Sequence, residues 1–187
     1  MDGKIKAGSP RRHSEKDQAN EPNNRRPEKS LQEYATHHFD FLRVLRGETL
    51  MIHEVRLRVR YAETDKMGVV YHSNFFVWME IGRVELMRSL GFDYKQMELE
   101  DDCHLPVVDA RCRYKSPAYY DQEIVVQTEL RNLRDSLIHF GYSILCDPDR
   151  KLLAEAETTH IVVNARMEKK ALPERYRAAF AALKTQR

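Results

Sequence analysis

A single long helical pattern, residues 73–90, is followed by four strand-like stretches whose links are too short for crossover helices. Parallel neighbours need a crossover of a dozen or more residues, so these strands must pair antiparallel. In the helical pattern Phe75, Trp78, Met79, Gly82, Leu86 and Leu90 recur at three- and four-residue spacing, with Ser73 as candidate N-cap and Gly91 at C′. Gly82 lies within that apolar stripe, where glycine costs about 1 kcal/mol relative to alanine in a helix interior. Close approach of a sheet to the helix would explain it. Upstream, Val55, Leu57 and Val59 alternate with Arg56, Arg58 and Arg60, the pattern of a strand buried on one face. Downstream, strands are expected over 106–114 (Val108, Ala110, Cys112 and Tyr114 on one face), 123–133, 136–146 and 151–165. Arg134-Asp135 and Asp147-Pro148-Asp149 read as hairpin turns. Pro173-Glu174-Arg175 opens a last helix reaching about Lys184. The expected order is β-α-β-β-β-β-α: an α+β fold with a five-stranded antiparallel sheet and one long helix for it to cover.

The first fifty residues read differently. Residues 1–29 are poor in apolar side chains and cannot offset the entropy of ordering, so a disordered polar tail is expected there. Ser30-Leu31-Gln32-Glu33 is a capping-box pattern that opens a helix or linker over 30–50, with adjacent His37 and His38 read as surface residues. The domain proper is expected over 51–187, with Met51 itself a candidate start. Residues 1–50 hold 10 Lys/Arg and 8 Asp/Glu, whereas 51–187 hold 21 of each. A neutral body argues against a nucleic-acid surface built on bulk charge. No apolar run approaches the ~20 residues of a membrane helix, and the N-terminus has no secretory h-region. Cys103, Cys112 and Cys146 are too far apart for a CxxC motif, and free thiols in a cytoplasmic setting are expected. No metal site and no cofactor is expected.

Between the first strand and the long helix runs Tyr61-Ala62-Glu63-Thr64-Asp65-Lys66-Met67-Gly68-Val69-Val70-Tyr71-His72-Ser73-Asn74-Phe75-Phe76. It sets a carboxylate, a glycine and a Tyr-His pair just ahead of a helix start, where unpaired N–H groups and the positive end of the macrodipole favour a developing oxyanion. Asp65 could supply a nucleophile or a general base. On spacing alone, a tight loop whose aspartate caps a nearby N–H fits equally well.

The run Tyr61-x-x-Thr64-Asp65-x-x-Gly68-x-Val70-Tyr71-His72-x-Asn74-Phe75, with Trp78-Met79-Glu80-x-x-Arg83 after it, resembles one signature. It is that of hotdog-fold acyl-CoA thioesterases of the 4-hydroxybenzoyl-CoA thioesterase family, especially the bacterial branch associated with the Tol-Pal system. The resemblance spans roughly residues 55–183, and Phe75 departs from it where tyrosine is usual. It implies a hotdog fold, thioester hydrolysis without a cofactor, and sites built between two subunits of a homodimer or homotetramer. It places the catalytic aspartate at Asp65 and the oxyanion N–H at His72. Gly68 and Val70 then shape the loop and Tyr71 lines the site.

A thiolate leaves readily, so one carboxylate and backbone donors suffice for an acyl-CoA substrate, or for an acyl-carrier protein. The His72 side chain, a candidate catalytic group, could orient substrate or Asp65, or merely satisfy a loop carbonyl. Glu80 and Arg83, at i, i+3, suit an ion pair. A related branch uses a helix glutamate, which makes Glu80 a reserve catalytic carboxylate. Tyr61, Phe75, Lys115, Ser116 and Pro117 are candidate substrate contacts, with Arg111, Arg113 and Lys115 on one polar strand face as candidates for CoA phosphates. Two rivals stay open: a hotdog dehydratase or hydratase pairing His72 with Glu80, and a non-catalytic module that binds acyl-CoA.

Overall fold

The computed structural model describes residues 52–183. The expected tail and the expected 30–50 helix lie outside the described residues. Five strands form one antiparallel sheet: β1 (Ile52–Arg58), β2 (Val107–Tyr114), β3 (Glu123–Arg134), β4 (Leu137–Cys146) and β5 (Lys151–Ile161), in the spatial order β1-β3-β4-β5-β2. The long helix α1 (Asn74–Ser89) packs against β1 and β3. The ladders align Val55 with Val126, Val126 with Ile144, and Ile144 with Ala154, which puts these side chains on one face of the sheet.

α1 buries Phe75, Trp78, Met79, Gly82, Leu86 and Met87. Each large apolar side chain removed from water contributes roughly 1.5–3 kcal/mol. The glycine has the expected cause: a Cβ at Gly82 would sit 2.5 Å from Thr128 Oγ1 and 2.8 Å from Val126 Cγ1, both on β3. The helix ends as expected. Gly91 takes φ +80°, its N–H bonds Arg88 O at 2.9 Å, and the Phe92 N–H reaches back to Met87 O at 3.0 Å. These are the paired bonds of a Schellman cap.

Three elements depart from the expected pattern. Ser73 does not cap α1 with its side chain: its backbone is already helical, and 3₁₀-type bonds run from Asn74 N–H to Tyr71 O and from Phe76 N–H to Ser73 O. The helical turn therefore begins two residues early. A short helix, α2 (Tyr94–Glu100), intervenes before β2, capped by the Asp93 side chain on Lys95 N–H at 2.8 Å and anchored by the buried Met97. One apolar anchor in seven residues leaves no periodic stripe to read. β5 stops at Ile161 rather than Ala165, because the chain turns at Asn164 and Val163 pairs singly with His104 and Lys169. The last helix, α3 (Glu174–Ala182), begins after Pro173 and buries Tyr176 and Phe180. Lys184 lies outside the described residues. Cys103, Cys112 and Cys146 are free.

β2 is an edge strand whose residues are exposed on both faces, apart from the half-buried Cys112. The apolar face expected of Val108, Ala110, Cys112 and Tyr114 is therefore not covered by α1, which lies over the other half of the sheet.

Candidate active site

The loop between β1 and α1 is pinched into a narrow neck. Thr64 bridges to Val70, Asp65 N–H bonds Val69 O, and Gly68 N–H bonds Asp65 O, each bond at 2.9 Å. The turn from Asp65 to Gly68 closes with Gly68 at φ +76°, a left-handed conformation that favours glycine. Val70 is buried, and its N–H bonds Ala118 O at 2.8 Å. Asp65 is half-buried at the neck, and its Oδ1 accepts the Met67 N–H at 2.8 Å. One carboxylate oxygen is thus held by an Asx turn.

Glu63, which no sequence motif marks, fastens the neck to the body. Its side chain is 5 % exposed. It accepts from Arg60 N–H at 2.8 Å, from the Arg60 guanidinium at 2.9 Å and from Trp78 Nε1 at 3.1 Å. Burial by itself would raise the Glu63 carboxyl, but these donors outweigh it and hold it below the ordinary value of 4.5. Its backbone carbonyl accepts the Tyr71 N–H at 2.9 Å and the Asn74 side chain at 2.8 Å. No apolar period marks Glu63 in the sequence. Its burial follows from where Trp78 arrives on α1.

Beyond the neck, the Tyr71 N–H is taken by Glu63 O, and the first turn of α1 consumes the N–H groups of Asn74, Phe75 and Phe76. Those of His72 and Ser73 have no acceptor among the described residues. Two adjacent free donors at a helix start form an anion-seeking pair. Tyr71 is exposed and its ring lies 4.3 Å from that of His72, which is also exposed. Tyr114, at the end of β2, completes the surround. Its hydroxyl donates to His72 O at 3.0 Å, and its ring meets Phe75 edge-on at 5.1 Å.

The remaining candidates separate. Phe75 is 3 % exposed and packs on Trp78, so as a core ring it is closed to substrate. Tyr61 is exposed and meets Tyr120 edge-on at 5.7 Å. Ser116 N–H bonds Leu153 O at 3.1 Å, and Pro117 is exposed. Lys115 is met by Glu155 at 3.0 Å, while Arg111 is met by Asp109 at 3.3 Å and Glu157 at 3.8 Å. Arg111 and Lys115 therefore already face carboxylates. The expected Glu80–Arg83 ion pair is not formed among the described residues. Arg83 turns into the core, donates to the Tyr94 hydroxyl and lies over its ring, while Glu80 stays exposed.

A five-stranded antiparallel sheet against one long helix is the hotdog thioesterase fold, and solved structures of that class superpose on this chain. The DHNA-CoA thioesterase from Staphylococcus aureus does so with a TM-score of 0.67 at 27% identity, covering 71% of this chain and 90% of its own. Residues 59–180 match the thioesterase-like superfamily, and the chain belongs to that family. The candidate acyl-CoA thioesterase YneP of Bacillus subtilis (strain 168) is 41% identical over 124 residues, 66% of this chain and 86% of that protein. The acyl-CoA thioester hydrolase YbgC of Escherichia coli O6:H1 is 31% identical over 125 residues, 66% of this chain and 92% of YbgC.

Proposed function

We propose that this protein is an acyl-CoA thioesterase in which Asp65 is the nucleophile or general base and the His72 N–H receives the oxyanion. The observation that carries the reading is the pinched neck. It holds the Asp65 carboxylate on one arm and the free N–H groups of His72 and Ser73 just past the other. Attack on the thioester carbonyl, by Asp65 or by a water it deprotonates, moves charge onto the carbonyl oxygen; those N–H groups stabilise it, and the thiolate leaves. Attack by water gives the free acid directly, whereas attack by Asp65 gives an Asp65 acyl anhydride that water then hydrolyses to the free acid and Asp65. Glu80 fits the dehydratase alternative poorly, since it is exposed and about 9 Å along the axis from the first residue of α1.

Within the family, the motif from Tyr61 to Arg83 supports the 4-hydroxybenzoyl-CoA thioesterase type and its Tol-Pal-associated branch. A homodimer or homotetramer is part of the proposal, because β2 is open along its edge and exposed on both faces. Three free thiols suit a cytoplasmic setting. Among the described residues, no helix is long and apolar enough to cross a membrane.

The test is thiol release from a panel of short-chain, long-chain and aromatic acyl-CoAs, with a chelator present. Free acid and CoA from at least one member is expected. Turnover of 3-hydroxyacyl-CoA to the enoyl product without thiol release would replace this reading with the dehydratase.

A further inference from the structure

We propose that Tyr114 is a positioning residue: its hydroxyl fixes and strengthens the Ser73 N–H as a second oxyanion donor beside that of His72. The inference rests on the thioesterase reading of the helix start and adds to it a residue 42 positions further along the chain.

Ser73 N–H and His72 C=O are opposite ends of one trans peptide and point in opposite directions. The His72 carbonyl accepts the Phe75 N–H at 3.4 Å, a long bond for a first helical turn, and the Tyr114 hydroxyl at 3.0 Å. Tyr114 therefore makes the closer contact with this peptide plane. A hydrogen bond at the carbonyl end polarises the peptide and makes the N–H a better donor. The neighbouring Tyr71–His72 peptide is held in the same sense by Asn74 N–H on Tyr71 O at 3.0 Å. Both free donors are thus aimed by bonds to the carbonyls behind them.

The tyrosine is itself held in place. Its ring packs edge-on against Phe75 at 5.1 Å and stands 6.5 Å from the His72 ring, and its backbone pairs with Ala154 in the β2–β5 ladder. Desolvation and the nearby Cys112 thiol push its hydroxyl up to about 12, so it keeps its proton and donates throughout the neutral range.

The experiment compares full-length protein with Tyr114→Phe, which keeps the ring and its packing, using octanoyl-CoA and benzoyl-CoA as substrates and the amide spectrum of ¹⁵N-labelled protein. Removing an oxyanion donor outright costs about 10²–10³-fold in kcat, so weakening one of two should cost roughly tenfold. KM should stay within about twofold. Tm should stay within about 2 °C, since only one partly exposed hydroxyl is lost. The Ser73 amide proton should move upfield more than any amide of α1. The proposal is overturned if kcat of Tyr114→Phe stays within twofold of the parent, or if kcat falls only in step with Tm while the Ser73 amide stays put. If the parent hydrolyses neither these substrates nor any other member of the acyl-CoA panel, the thioesterase reading fails instead. The Ser73 amide then decides alone, and an unmoved resonance sinks the positioning role.

Discussion

Trp78 Nε1 donates to Glu63 Oε1 at 3.1 Å, from α1 back to a buried carboxylate in the loop that precedes it. The bond fastens the arm carrying Asp65 to the helix whose first turn offers the free N–H groups of His72 and Ser73. Glu63 touches neither, yet it fixes the spacing between them.

Glu63→Ala should therefore destabilise the protein and disable the site together. It leaves the Trp78 indole and the Arg60 N–H without their acceptor, which should cost about 2–3 kcal/mol. Because the Glu63 carboxyl is held below its ordinary 4.5, its contribution is present above that value and is lost as pH falls through the lowered one. Denaturant melts near neutral pH check the size of the loss. An unchanged midpoint with normal turnover would remove Glu63 from this role.

Asp65→Asn separates the turn from the chemistry. An asparagine oxygen can still accept the Met67 N–H, so the Asx turn and the melting temperature should persist. Turnover should fall by at least about 10²-fold. His72→Ala keeps the backbone N–H and should lose less, and Glu80→Gln least. If Asp65→Asn turns over normally while Glu80→Gln is inactive, the carboxylate has been misassigned.

His160 sets a pH limit on stability. It is buried between Thr158 Oγ1 and Leu105 O, each at 3.0 Å, and desolvation, with the Arg83 charge nearby, lowers it from 6.5 to about 4. The unfolded chain takes up the proton first on acidification. This residue's contribution is therefore whole above pH 6.5 and drains away between 6.5 and 4, by about 3 kcal/mol in total. His160→Gln should flatten the stability curve over that window. A parent whose stability is constant from pH 6.5 to 4.5 would contradict the assignment.

Gly82→Ala tests the contact between helix and sheet. Helix propensity alone predicts a gain of about 1 kcal/mol. A Cβ 2.5 Å from Thr128 Oγ1 and 2.8 Å from Val126 Cγ1 forces β3 to yield, and overpacking of this kind costs about 1–3 kcal/mol. The expected outcome is a lower Tm. A higher one would mean that the sheet yields freely.

A chain beginning at Met51 should remain soluble and keep most of its activity, and at micromolar concentration it should sediment as a dimer or larger. Loss of folding would place the 30–50 segment within the folded body. A fully active monomer would refute the oligomer.

Local pattern and spacing were enough to determine the helix with its apolar stripe, the Schellman glycine at Gly91, the antiparallel hairpins and the loop motif around Asp65. Each depends on residues a few positions apart, where periodicity, turn chemistry and capping act directly. Only the tertiary structure decided which residues surround that loop. Glu63 became a buried anchor because Trp78 reaches it, and Tyr114 reached His72 because the β2–β5 register carries the end of β2 to the start of α1. Arg83 abandoned its i, i+3 partner for Tyr94, because the burial of that helix face turns it inward towards α2. Ser73 lost its capping role because the turn starting at Tyr71 had already begun the helix. These outcomes depend on pairings between distant segments, set by sheet register and helix placement, and no short-range pattern encodes them.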